Sequence, residues 1–315
     1  MRFKMLKIGL ILVMFTSVTF RCAKEKAYSQ KFKATKCVIL LVDGPRWTET
    51  WGDATHTYQP NLFSTLKNEG CVFTNFYNNG NTFTLPGHTA TLTGKYQDIV
   101  NDGTQLPDNP GLSQLFLEKY PTKKAAIITS KDKLEVLGNC IDANYNGKYK
   151  CYTDCGVAGL TTGYRLDSVT IAHVKLYLTT DHPDFLFVQL KEPDAAGHAN
   201  DWTGYLNGII QGDAFALELW NQLQADPFYK DQTTFIVTND HGRHLDGTAD
   251  GFISHGDGCE GCRHINLFMA GPDIKKNTII SVAYEQTDIN KTVTTMLNLN
   301  QNYGNGKIIK SAFGK

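Results

Sequence analysis

The chain has no excess of charge of either sign: Lys+Arg and Asp+Glu each number 31 among its 315 residues. That balance leaves no electrostatic footprint for nucleic acid, so no nucleic-acid polymer is expected as a partner. It also lacks an apolar run long enough to cross a membrane. A spanning helix needs about twenty residues, and residues 8–20 (IGLILVMFTSVTF) make a run of only thirteen. There is no internal repeat and no long linker. With 28 Gly and 10 Pro the chain is neither collagen-like nor low in complexity. What remains, 41% apolar and 20% charged, is a globular composition.

The short apolar run has a function of its own. Arg2, Lys4 and Lys7 precede it, and Ala27-Tyr28-Ser29 supplies a small-x-small cleavage site. Residues 1–29 therefore read as a secretory signal peptide, and the chain as exported, periplasmic or secreted. Its removal takes away six basic groups and one acid, which leaves a mature chain of 286 residues at −5. The rival reading is a lipid anchor on Cys22, giving a membrane-anchored lipoprotein; Arg21 fits the usual small residue poorly. Eight cysteines suit an oxidising compartment. Cys37 and Cys71 sit in apolar runs and read as buried thiols, whereas Cys140, Cys151 and Cys155 cluster where a loop disulfide fits. Cys259 and Cys262 form a CxxC. A zinc knuckle would need a second ligand pair, none is spaced for it, and a local disulfide or two free thiols is expected.

Strand and helix signals alternate along the rest. Residues 38–42 (VILLV), 71–77, 125–128, 185–190 (FLFVQL), 234–238 and 265–270 read as strands. Helical patterns run from Pro60 to the stop at Gly70, from Pro86 to Gly94, over residues 112–120, through Leu206, Ile210, Leu217 and Trp220 with Asp213 on the same stripe, and from Asp288 as a cap. Alternation of this kind predicts an α/β fold, a three-layer α/β/α sandwich with a mostly parallel central sheet. Residues 30–315 are expected to form a single domain, with an inserted loop region near 140–165. Ligands of such sheets gather at the carboxyl ends of the strands.

The unusual polar residues fall at those ends. Asp43 follows VILLV, and Asp240-His241 follows FIVT and Asn239. Asp194 and His198 follow FLFVQL in a DxxGH arrangement. Each alone could be a turn or surface residue. His255 lies in SHGDGCEGCRH; His264 competes with it, and His255 is preferred because Gly256 allows close backbone approach. Thr84, ahead of Pro86 and Gly87, is either an ordinary helix cap or a hydroxyl at a helix start, where free N–H groups favour an anionic oxygen. Together they make three carboxylates, three imidazoles and a hydroxyl. That mixed oxygen and nitrogen set suits zinc better than magnesium, and two ions better than one.

The ordered motifs VDG at Asp43, TLPGHTATLTG at Thr84, DAAGH at Asp194, NDHG at Asp240 and SHG at His255 resemble the alkaline phosphatase superfamily. They are most similar to its type I phosphodiesterase and nucleotide pyrophosphatase branch and that branch's single-domain phosphatase relatives. The resemblance implies an exported phosphoric ester hydrolase, a phosphodiesterase or phosphatase, acting on a small-molecule ester or diester. It implies two zinc ions, with manganese the lesser alternative. One would be held by Asp194, His198 and His255, the other by Asp43, Asp240, His241 and Thr84. Thr84 would be the nucleophile, forming a phosphothreonine that water then hydrolyses. Asn101, in QDIVND, would hold a phosphate oxygen.

Departures from the family pattern matter as well. Sulfatases of this superfamily carry a CxPxR segment whose Cys becomes formylglycine, and here the text is Thr84-Leu85-Pro86-Gly87-His88. The cofactor-independent phosphoglycerate mutases use Ser and a large inserted domain, for which this chain has no room. The Arg and Lys that grip the third phosphate oxygen in monoesterases have no motif here; Lys131 and Lys133 lie in a suitable loop with nothing to single them out. Arg46 reads as structural or solvent-facing, and His88 as a packing or supporting residue. Related alternatives are a phosphonate hydrolase, a phosphoethanolamine-type transferase, or a non-catalytic binding protein on the same fold.

Overall fold

The computed structural model describes residues 31–314. The signal peptide expected at residues 1–29, and with it Cys22, lies outside the described residues.

In chain order the strands are β1 (Lys36–Asp43), β2 (Gly70–Phe73), β3 (Phe76–Tyr77), β4 (Ala125–Thr129), β5 (Tyr152–Cys155), β6 (Phe185–Pro193), β7 (Thr233–Thr238), β8 (Leu267–Ala270), β9 (Thr278–Ile280) and β10 (Tyr284–Glu285). The helices are α1 (Thr84–Thr93), α2 (Leu112–Lys119), α3 (Asp167–Thr180), α4 (Asp194–His198), α5 (Trp202–Ala225), α6 (Glu260–Arg263) and α7 (Thr287–Met296). Eight strands form one sheet in the order β5-β4-β6-β1-β7-β8-β2-β9, and β10 pairs with β3. Within the large sheet only β8 runs against its neighbours, β7 and β2. The fold is thus the expected mostly parallel α/β arrangement.

Unbroken apolar runs form the central strands because helices cover both faces. Side chains alternate between the faces. Val38, Leu40, Leu186 and Val188 join one core with Val174 and Leu178 of α3 and Phe215, Leu219 and Leu223 of α5. On the other face, Phe185 stacks with Phe116 of α2, and Phe187 meets His88 of α1 edge-on.

Several local expectations change. The stretch after Pro60 is a wide π turn over Asn61–Thr65 followed by a 3₁₀ turn over Leu66–Glu69. Its opening N–H groups are held by Asp213 of α5, whose carboxylate accepts from Asn61 and Leu62 at 2.9 and 2.7 Å. Residues 140–165 are no plain loop, since they supply β5 at the sheet's edge. Cys140, Cys151 and Cys155 are free thiols. Cys155 Sγ donates instead to the Ile127 carbonyl. Asp288 lies inside the first turn of α7 instead of capping it, and accepts from the Glu285 and Lys307 N–H groups.

Candidate metal centre

The strand order explains why distant motifs meet. β1 lies between β6 and β7 and runs parallel to both, so three adjacent carboxyl ends present Asp43, Asp194 and Asp240-His241 side by side. At the first of these the chain must turn sharply. Gly44 has φ +73°, and a Cβ there would stand 3.0 Å from the Asp194 Cβ. α1 delivers Thr84 as its first residue; the cap position is Phe83, so Thr84 is not the capping residue. The loop after β7 returns His255 to the cluster. Gly256 (φ +120°) lets it do so, because a Cβ there would collide with the Phe83 ring at 2.3 Å.

Two sets of ligand atoms result. His198 Nε2, His255 Nε2 and Asp194 Oδ1 stand 3.0 to 3.3 Å from one another. In the second set, His241 Nε2 lies 3.3 Å from Asp240 Oδ2 and 3.6 Å from Asp43 Oδ1. Ligand atoms about 2.0–2.1 Å from one tetrahedral ion stand about 3.3 Å apart, so both sets have the spacing of a zinc site's edges. Backbone carbonyls orient the rings. His255 Nδ1 donates to Thr82 and His241 Nδ1 to Gly242, which leaves each Nε2 lone pair facing the cluster. Asp43 Oδ1, Asp240 Oδ2 and His241 Nε2 are buried without a hydrogen-bond partner. Three orphaned acceptors around one point are costly in a protein interior unless a cation satisfies them, so the residues fit a metal. His241 also stacks on His255 with ring centroids 3.7 Å apart, so it touches both sets.

Two lysines that no motif marks complete the cluster. Lys131, at the end of β4, is buried. Its Nζ lies 2.6 Å from Asp194 Oδ2, 2.9 Å from Asp43 Oδ2 and 3.2 Å from Thr84 Oγ1. Burial alone would lower its pKa, but Asp194, Asp43 and Asp240 outweigh burial and hold it above the usual lysine range. Lys133 Nζ donates to Asn101 Oδ1 at 3.0 Å. Burial first, and the charge of Lys131 second, push its pKa down to about 8. Asn101 Oδ1 also accepts from the Leu85 N–H at 2.8 Å, which fixes the side chain beside Thr84 with its amide N–H groups still to donate. Asp102 turns to the exposed Thr104 instead. The carboxylates differ among themselves: burial, and Asp240 beside it, raise Asp43 well above the usual range. Asp194 is held well below it, because Lys131, His198, His255 and Arg243 overcome the effect of burial.

The remaining candidates separate. His264 is stacked between Trp47 and Tyr77, away from the cluster. His88, one turn along α1 from Thr84, donates to the Thr84 carbonyl at 2.7 Å and lies 3.4 Å from Asp240 Oδ2, a supporting position. Arg46 is structural and not solvent-facing: it is buried and bonds Glu49, Asp246 and the His244 carbonyl. A residue without a sequence signal is Arg243, fully buried, whose guanidinium binds Asp194 Oδ1.

Compared with known proteins, the chain matches the sulfatase family over residues 37–299. No curated protein matches it in sequence. Among solved structures it is similar to the alkaline phosphatase PafA, with a TM-score of 0.68 and 13% identity over 90% of this chain and 99% of that one. It is similar to murine ectonucleotide pyrophosphatase/phosphodiesterase 5, solved as an inactive variant with AMP, with a TM-score of 0.64 and 14% identity over 89% of this chain and 100% of the other. A phosphonate monoester hydrolase from Silicibacter pomeroyi gives a TM-score of 0.64 at 13% identity, over 88% of this chain and 76% of that chain. At these identities the likeness is one of fold.

Proposed function

The chain belongs to the sulfatase family, within the alkaline phosphatase superfamily of phosphoester hydrolases, and on that premise we propose that it is an exported two-zinc phosphoric ester hydrolase with Thr84 as its nucleophile. The observation that carries this reading is the set of orphaned ligand atoms gathered beside the Thr84 hydroxyl. Asp194, His198 and His255 would hold one ion; Asp43, Asp240, His241 and Thr84 the other. When bound, such a pair stabilises the charge on the attacking and leaving oxygens of an in-line phosphoryl displacement.

The chain's own residues supply the rest. Lys131 is protonated and donates towards Thr84 Oγ1, which favours the alkoxide form of that oxygen. Oγ1 forms the new bond to phosphorus as the bond to the leaving oxygen breaks, and water later cleaves the phosphothreonine. Asn101, its Oδ1 already occupied, has its amide N–H groups free to donate to a phosphoryl oxygen. Lys131 and Lys133 add two buried cations on the same side. A monoester carries one more anionic oxygen than a diester, so this excess of positive charge favours a phosphate monoester as substrate. Thr84-Leu85-Pro86-Gly87-His88 offers no cysteine for conversion to formylglycine, which argues against sulfate esters despite the family's name.

Substitution Thr84→Ala should abolish turnover of p-nitrophenyl phosphate while leaving zinc content near that of the wild type. Wild-type rates in this variant, on either the monoester or bis-p-nitrophenyl phosphate, would overturn the mechanism. A panel of monoester, diester, phosphonate and sulfate ester tests substrate class, with the monoester expected to give the highest kcat/KM.

A further inference from the structure

A second group of metal-ligating side chains lies outside the centre described above. The CxxC of Cys259 and Cys262 lacked a partner pair in the sequence; the folded chain brings one to it. His244, three residues beyond His241, and Asp257 both face the two thiols, and one ligand atom from each of the four lies within 4.8 Å of all the others. Asp257 Oδ1 accepts from the Cys259 N–H. His244 Nε2 stands 3.3 Å from Asp257 Oδ2, the separation of two ligands on one tetrahedral ion.

The setting of His244 points to a cation there. His244 is only 7% exposed, and its Nε2 is buried with no hydrogen-bond partner. Its other nitrogen, Nδ1, donates to Asp250 Oδ1 at 2.8 Å, and Ser254 Oγ donates to the same carboxylate oxygen at 2.7 Å. A carboxylate on Nδ1 fixes the tautomer, so Nε2 carries a lone pair aimed at the thiols; this is the orienting partner that metal-binding histidines usually have. The backbone is fixed as well, because Thr82 Oγ1 donates to the Asp257 carbonyl at 2.7 Å and the Cys259 N–H binds Asp257 Oδ1 at 3.0 Å.

We propose that His244, Asp257, Cys259 and Cys262 form a closed, structural zinc site, separate from the catalytic centre. Two thiolates, an imidazole and a carboxylate complete a tetrahedral shell with no open position, the pattern of structural and not catalytic zinc. Such an ion clips the two ends of the loop that carries His255, and so holds that ligand in place without touching substrate. The inference is independent of the reaction at Thr84.

Cobalt substitution tests it, because the ligands proposed for the catalytic pair are all oxygen or nitrogen. Only the second site can give thiolate-to-cobalt charge-transfer absorption in the near ultraviolet. The expected result is that band in the wild type and in His255→Ala, its loss in the Cys259→Ser/Cys262→Ser double variant, and one zinc more per chain in the wild type than in the double variant. In the unaltered protein, Cys259 and Cys262 should resist alkylation until a chelator is added. Absence of the band from the cobalt-loaded wild type would overturn the proposal. So would a Cys259–Cys262 disulfide in the protein as isolated, or alkylation indifferent to chelator.

Discussion

The two clusters of ligating residues, at the strand ends around Thr84 and in the loop from His244 to Cys262, use the same chemistry in opposite settings. The first is built on β1, β6 and β7, three adjacent parallel strands whose rigid ends fix Asp43, Asp194 and Asp240. It is crossed by two lysines and contains no sulfur. The second takes its residues from one excursion of chain, uses two thiols, and sets His244 between the carboxylates of Asp250 and Asp257. A site that must admit a substrate needs cations and an open position beside its metals; one that only fastens a loop needs neither. His198, half exposed at the rim of the first cluster, against the buried His244 of the second, expresses that difference.

Chelation should separate the two most strongly. Dialysis against a chelator is expected to bring esterase activity to background before Cys259 and Cys262 become reactive, and zinc should restore it. Simultaneous loss would mean that the sites are not distinct. Next in size is Lys131→Met, which removes the donor beside Thr84 Oγ1. Loss of one such preorganised donor costs about 10²–10³ in rate, so kcat/KM for a monoester should fall by about that factor, and for a diester by less. An equal fall on both would show that Lys131 does not select the substrate.

A smaller effect is expected from pH. Lys133 has its pKa pushed down to about 8 by burial and by Lys131. Its charge, and with it any grip on phosphate, is present below that pH and lost above it. Inhibition by inorganic phosphate should weaken as pH rises through about 8, and Lys133→Arg should flatten that dependence, because a guanidinium stays charged. An unchanged profile in the variant would place the titrating group elsewhere. The smallest effect belongs to the loop: Cys259→Ser/Cys262→Ser should lower Tm by a few degrees, about 2–4 °C per kcal/mol lost in a chain of this size, and reduce activity only severalfold.

The first cluster was legible in the sequence because apolar runs announce buried strands, and Asp43, Asp194 and Asp240-His241 follow such runs closely. Lys131 and Lys133 occupy a comparable place after β4, but Ser-Lys-Asp-Lys looks like any polar loop until β4 is known to pair with β6. The loop cluster hid for another reason. Its CxxC was visible, yet His244 and Asp257 belong to no periodic element, and only the folded loop brings them together. α3 was missed because residues 168–180 (SVTIAHVKLYLTT) hold many β-branched residues, which lower helix propensity, and show little one-sided apolar pattern. The strands β9 and β10 are three and two residues long, too short for alternation to mark them.

The central claim, that a pair of cations lies beside the Thr84 hydroxyl, is tested most directly by anomalous diffraction at the zinc edge from crystals of the zinc-loaded protein. The expected result is two strong peaks near Thr84 Oγ1, one among Asp194, His198 and His255 and the other among Asp43, Asp240 and His241. No peak in either place, with the Lys131 ammonium still joining Asp43 to Asp194, would contradict it.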